Sequence, residues 1–180
     1  AGLGGLGSNI AMYLARAGVG HLHLVDFDKV DITNLNRQQY DIADLGTLKT
    51  DALTKNIKRF NPFIEITSQC VKVNEDNAAE IFGGYKIVCE AFDKAENKAM
   101  LVNSILSECG DTKIVSGSGM AGFGSSNTIV TRKINDRFYL CGDAESDMND
   151  GLALVAPRVA ICAAHEANMI LRLLIGEKEV

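Results

Sequence analysis

The sequence predicts an α/β fold, a Rossmann-like, doubly wound and mostly parallel sheet with an antiparallel C-terminal extension and a long C-terminal helix. Three observations predict it. Gly2-Leu3-Gly4-Gly5-Leu6-Gly7 is a glycine loop that opens directly into a helical pattern. The strand-like run His21-Leu22-His23-Leu24-Val25 then ends at Asp26. A glycine loop followed by an acid about 20 residues on is the fingerprint of a dinucleotide-type fold. Beyond Asp26, apolar strand-like runs alternate with helical ones, the pattern of a parallel sheet covered by helices.

Each element follows in order. Ile10, Tyr13, Leu14 and Ala17 share a face of a helix over 5–17, and Gly18-Val19-Gly20 turns the chain into the strand 21–26. Residues 27–45 are polar and loop-like. A second helix is expected over 47–60, closed by Asn61-Pro62. Ile64–Thr67 reads as a strand, 75–82 as a short helix, and 86–92 as a strand ending at Asp93. A helix over 95–108 and a strand over 113–116 complete the alternation. Gly117–Gly124 is a flexible connection rather than a second nucleotide loop, because strand-like runs (128–131 and 137–140) follow it. Two strands in succession predict the antiparallel extension. The loop 142–151 carries Asp143, Glu145, Asp147 and Asp150 and reads as solvated. The last helix, 153–175, is apolar nearly all round, with Arg158, His165, Asn168 and Arg172 forming a narrow polar stripe.

The chain has 180 residues, which fits one domain over 1–180. It begins at the glycine loop, so the strand expected before that loop, and any segment ahead of it, would belong to a longer protein. A net charge of −5 and a pI near 5.2 argue against nucleic-acid binding. No apolar run is long enough to span a membrane. Cys70, Cys89, Cys109, Cys141 and Cys162 are widely spaced without a C-x-x-C pair, so they read as reduced, mostly buried thiols of a cytoplasmic protein, and no structural zinc is expected. His21 and His23 share a strand face without an acid or cysteine partner and read as packing residues.

The chemistry gathers where strand C-termini converge, since ligands of doubly wound sheets bind there. Asp26 and Asp93 both end strands. Arg37 from the 27–45 loop and Lys49 from the start of the next helix can reach the same crevice. Two cations beside a glycine loop suit a triphosphate, and one carboxylate such as Asp93 is enough to hold magnesium on it. Asp93 also competes for a second role, as N-cap of the helix from 95.

These residues carry a resemblance. Gly2 to Gln38 closely resembles the ThiF/MoeB/HesA family, prokaryotic relatives of ubiquitin-activating enzymes. The matching stretches are Gly-x-Gly-Gly-x-Gly at 2–7, Ala-Gly-Val-Gly at 17–20, Val-Asp-Phe-Asp at 25–28 and Asn-Leu-Asn-Arg-Gln at 34–38. Gly46-Thr47-Leu48-Lys49, Asn61-Pro62, Phe92-Asp93, Val115-Ser116-Gly117 and Ala156-Pro157 extend the likeness over nearly the whole chain. The resemblance implies an ATP- and magnesium-dependent adenylyltransferase. Such an enzyme activates the C-terminal glycine carboxylate of a small ubiquitin-fold, ThiS-like sulfur carrier and releases pyrophosphate, a chemistry used in thiamine biosynthesis. It also implies a homodimer, in which the partner's N-terminal segment completes each ATP site. Carried over by motif, Gly5 lies against the phosphates, Asp26 holds the ribose, Asn34, Arg37 and Lys49 position and neutralise the polyphosphate, and Gly2, Gly4, Gly7, Asp28 and Gln38 complete the nucleotide-binding set. Asp93 binds magnesium, and Arg37, Lys49 and Asp93 form the catalytic set.

The departures are specific. The family's zinc-binding cysteine pairs are missing, with only Cys141 near the first. The family's later, carrier-linking cysteine, expected around 148–151, is replaced by Met148-Asn149-Asp150-Gly151, which leaves adenylation alone. Lys94 stands where the family has Asn. Two other readings stay open: an NAD-dependent oxidoreductase, disfavoured by the Arg37–Lys49–Asp93 set, and a non-catalytic nucleotide-binding scaffold, which the lost cysteines allow. The apolar last helix gives a second ground for a homodimer, because uncovered apolar surface of that size marks an interface.

Overall fold

The computed structural model describes residues 1–147 and 150–180. Two ladders carry the fold. Strand β1 (His21–Val25) pairs in parallel with β2 (Glu65–Gln69). The second sheet has the order β3-β4-β6-β5, from β3 (Ile87–Glu90), β4 (Lys113–Gly117), β5 (Val130–Lys133) and β6 (Phe138–Gly142). β3, β4 and β6 are mutually parallel, while β5 runs antiparallel to β6. Ala1 and Gly2 join the two ladders: the Gly2 N–H donates to the Val25 carbonyl at 2.8 Å and the Ala91 N–H to the Ala1 carbonyl at 2.9 Å.

Helices cover both faces. Helix α1 (Gly5–Arg16) places Leu6, Ile10 and Leu14 against α5 (Ala156–Leu174), Val115 and Tyr139, while its Ala11 and Ala15 meet Leu53 and Ile57 of α2 (Lys49–Lys58). The opposite face is closed by α3 (Glu75–Phe82) and α4 (Ala95–Glu108) through Ala78, Phe82, Leu101 and Ile105. Successive strand residues point to opposite faces. Leu24 and Val25 accordingly enter different cores, as do Ile114 and Val115. This is the doubly wound α/β arrangement read from the sequence.

Several local details differ from expectation. Ala17 is the exposed C-cap of α1 and does not continue its buried face. The segment 27–45 contains two one-turn 3-10 segments, Ile32–Asn34 and Ile42–Asp44, each closed by an aspartate capping box from Asp31 and Asp41. Arg158 is not part of an exposed stripe. It is 4% exposed and donates to the carbonyls of Gly124 and Ser125 at 2.8 and 2.7 Å, to the Thr128 hydroxyl, and to Asp143. Asp143 is therefore not solvated. Burial alone would raise its pKa, but the Ser146 and Glu145 N–H groups, the Ser146 hydroxyl and Arg158 together hold it down to about 2. The pair ties the Gly-rich connection to the start of α5. Helix α5 buries most of its apolar residues inside the chain, against α1 and the sheet, and leaves Leu174 exposed at its end.

The five cysteines are free, and Cys109, Cys141 and Cys162 are buried. Burial pushes the Cys141 thiol up to about 12, which disfavours a thiolate. His23 stacks on Tyr85 and shares a hydrogen bond with the Thr67 hydroxyl at 2.7 Å, a packing role. Met148 and Asn149, which fall where the carrier-linking cysteine is expected, lie outside the described residues. Among the described residues, no helix is long and apolar enough to cross a membrane.

Candidate functional site

The glycine loop is shaped by two close contacts. Gly2 has φ +84°, and a Cβ there would meet the Ala91 carbonyl oxygen at 2.8 Å. A Cβ on Gly7 would lie 1.9 Å from the Gly2 carbonyl oxygen. These two glycines fold the loop tightly against the end of β3. Gly4 and Gly5 have a different setting. A Cβ on Gly4 would meet only Gln38 Nε2, at 3.8 Å, and one on Gly5 would meet Val159 Cγ1 at 3.2 Å and the Arg37 stem at 3.6 Å. No side chain caps α1, so its first N–H groups stay available to an anion.

The polar residues Ser8 and Asn9, 0% and 3% exposed, fasten this loop to residues 37–39. The Ser8 hydroxyl donates to the Gly4 carbonyl at 2.6 Å and accepts the Gln39 N–H at 3.1 Å. The Asn9 amide donates to the carbonyls of Gly5 and Arg37, and its oxygen accepts from Gln39 Nε2 at 2.6 Å. Sequence reasoning did not single out either residue. The legible signal was two consecutive polar residues in the first turns of a helix otherwise read as apolar. The Tyr40 hydroxyl adds a bond to the Leu3 carbonyl at 2.9 Å.

Asp26 ends β1 nearly buried. One of its oxygens accepts the Leu3 N–H at 2.6 Å and the other the Asp28 N–H at 2.8 Å. It thus braces the glycine loop, with lone pairs remaining for a hydroxyl donor. Asp28 is half-exposed and pairs with Lys49 at 2.9 Å, while the Lys49 side chain is 6% exposed. Lys49 is the first residue of α2, and its backbone N–H also bonds the Asp28 carbonyl. Arg37 donates to the Thr33 carbonyl at 3.0 Å and to Asn36 Oδ1 at 2.8 Å, while its Nε is buried without a partner. Gln38 is buried and its Oε1 also lacks a partner. Asn34 uses its side-chain oxygen to accept the Asp31 N–H in the first capping box.

The structure therefore brings Gly4, Gly5, Arg37 and Gln38 together at the start of α1, braced by Asp26. Lys49 and Asp28 form a pair of their own, and Asn34 is occupied in its turn. Asp93 is exposed in the turn after β3 and makes no hydrogen bond or ion pair with the described residues. The N-cap of α4 is Lys94, without a side-chain bond, so Asp93 does not cap that helix. One exposed carboxylate at the strand end beside the loop fits magnesium, which takes few protein ligands. Among the described residues, no group of three or more His, Cys, Asp and Glu side chains is arranged to hold a metal.

Beneath the loop lies a buried acid. Glu166 of α5 is 0% exposed, and the thiols of Cys89 and Cys162 donate to it at 3.6 and 3.7 Å. Burial raises its pKa to about 8; Lys98 opposes the rise and Glu90 adds to it. The unfolded chain ionises this group near its ordinary value of 4.5 while the folded chain does not. Stability gained from the neutral acid is full below pH ~4.5 and is lost as pH rises to about 8, at no more than ~1.36 kcal/mol for each step of one in pH. Glu166→Gln is expected to flatten that loss. Urea midpoints measured between pH 5 and 8.5 check it, and equal slopes in both proteins would contradict it.

Comparison with known proteins identifies the family. The ThiF family model matches residues 1–180. "Adenylyltransferase and sulfurtransferase UBA4" of Eremothecium gossypii is 38% identical over 120 residues, 66% of this chain and 27% of that protein. The protein of the same name in Saccharomyces cerevisiae S288c is 31% identical over 183 residues, 97% of this chain and 41% of its own length. The chain thus spans well under half of these curated relatives. Among solved structures, the E. coli tRNA N6-threonylcarbamoyladenosine dehydratase TcdA in complex with ATP superposes with a TM-score of 0.86 at 23% identity, over 97% of this chain and 83% of that one. E. coli MccB with ATP superposes at 0.75 and 20% identity, over 98% and 55%. With glycine loop, bracing acid and motif residues assembled on this fold, and the family model matched from end to end, the chain belongs to the ThiF family.

Proposed function

We propose that residues 1–180 act as one ATP-binding adenylation domain that activates the C-terminal glycine carboxylate of a small ubiquitin-fold, ThiS-like carrier. The observation that carries this reading is the convergence of Gly4, Gly5, Arg37 and Gln38 at the uncapped N-terminus of α1. The names of the curated relatives and the ATP complexes of the structural neighbours support it.

In this reaction a carboxylate oxygen of the carrier attacks the α-phosphorus of ATP. The new O–P bond forms as the bond to the bridging oxygen breaks, and pyrophosphate leaves with that electron pair. An anion is attacking a polyanion, so the work of the protein is positioning and charge neutralisation. The α1 N–H groups and the Arg37 guanidinium hold the phosphates. Asp26 receives the ribose hydroxyls. Lys49, released in part from half-exposed Asp28, supplies the second positive charge. Asp93 is the residue that would hold magnesium, and the ion's charge would offset that of the leaving pyrophosphate. The family resemblance adds a homodimer to this reading.

ATP with magnesium is expected to raise the unfolding midpoint and NAD to leave it unchanged, because a ligand that binds only the native state stabilises it. Thermal-shift titration with both nucleotides checks this. A shift with NAD and none with ATP would favour the oxidoreductase reading.

A further inference from the structure

Glu90 is the last residue of β3 and has no exposed surface. A buried carboxylate is costly unless it is paired and fully hydrogen-bonded. Here the partners come from three directions. The Phe92 N–H donates to Oε1 at 2.6 Å, Lys98 of α4 reaches both oxygens at 3.0 and 3.3 Å, and the Ser116 hydroxyl of β4 donates to Oε2 at 2.5 Å.

The Phe92 bond fixes the Ala91–Phe92 peptide, one residue ahead of Asp93. The same turn lies against the glycine loop, since a Cβ on Gly2 would meet the Ala91 carbonyl oxygen and, at 3.1 Å, the Phe92 ring. Asp93 itself is not held by α4, which lacks a side-chain cap. Its orientation must therefore come from the turn, and the turn is anchored from beneath by Glu90 and Lys98.

We infer that Glu90 and Lys98 are a positioning pair that holds the Asp93 carboxylate at the edge of the nucleotide site. The inference rests on the proposed reading of Asp93 as the magnesium-holding group. Glu90 touches no ligand itself; it acts by fixing the turn. Partners of this kind, one step behind a metal ligand, are worth about 10–100-fold in metal affinity.

Calorimetric titration of the chain with ATP, in the presence and absence of magnesium, tests the pair without any turnover. The parent chain is expected to gain ATP affinity with magnesium, and Asp93→Ala to lose that gain. Glu90→Gln is expected to reduce the gain by about 10–100-fold while magnesium-free ATP affinity is kept. Lys98→Arg, which preserves the charge, is expected to retain it. Should Glu90→Gln fail to fold by circular dichroism, Ser116→Ala removes one bond to Glu90 without removing a charge and should move the gain the same way. A full magnesium gain in folded Glu90→Gln, or in Ser116→Ala where Glu90→Gln does not fold, alongside its loss in Asp93→Ala, would overturn the pair alone. A full gain in Asp93→Ala, or none in the parent chain, would overturn the Asp93 reading and the pair with it.

Discussion

Gly7→Ala is expected to destabilise the chain by at least ~3 kcal/mol and to abolish ATP binding. A Cβ at this position would stand 1.9 Å from the Gly2 carbonyl oxygen, a backbone atom with no rotamer to change. Gly2 is fixed in turn, at φ +84° against the Ala91 carbonyl and bonded through its N–H to Val25. Relief requires moving the Ala1–Gly2 link that joins the two ladders. Gly4→Ala is the control, because its Cβ would meet only a Gln38 amide at 3.8 Å. It should keep the parent stability and weaken only nucleotide binding. Urea denaturation of both variants distinguishes them, and a Gly7→Ala protein as stable as the parent would contradict the packing account.

Arg37→Ala is expected to lower the adenylation rate by about 10²–10³ with the fold intact, the usual cost of one preorganised charge contact. The Arg37 stem lies beside Gly5, and its guanidinium bonds only its own loop, through Thr33 and Asn36. Its removal therefore leaves no buried charge alone. Lys49→Ala should have a similar effect, since half-exposed Asp28 can be rehydrated once its partner is gone. Single-turnover rates, with circular dichroism as the fold check, read both. Parent-like rates in both variants would show that the charges serve Asp28 and the loop rather than the nucleotide.

The fold was legible because its signals are local. The glycine loop, the period-3.6 stripe of Ile10, Tyr13 and Leu14, and the strand ending at Asp26 each determine their own conformation. The helix over 95–108 and the antiparallel β5–β6 pair were readable for the same reason. Side chains whose setting depends on distant residues were not. Arg158 reads as a helix-surface cation until the Gly124–Thr128 connection is folded over it. Asp143 reads as a loop acid until Arg158 meets it. Ser8 and Asn9 disclose their role only when residues 37–39 lie across the glycine loop. Glu90 stands inside the expected strand 86–92 with no role of its own until Lys98 and Ser116 close over it from α4 and β4.

The central claim is that this site adenylates a carrier carboxylate, and pyrophosphate release from ATP measures it most directly. The chain is mixed with ATP, magnesium and a small ubiquitin-fold carrier ending in Gly-Gly, and pyrophosphate is followed over time. Carrier-dependent release, absent when the terminal glycine is removed, is the result this account predicts. ATP binding with no pyrophosphate released across a panel of such carriers would contradict it and leave a nucleotide-binding scaffold in its place.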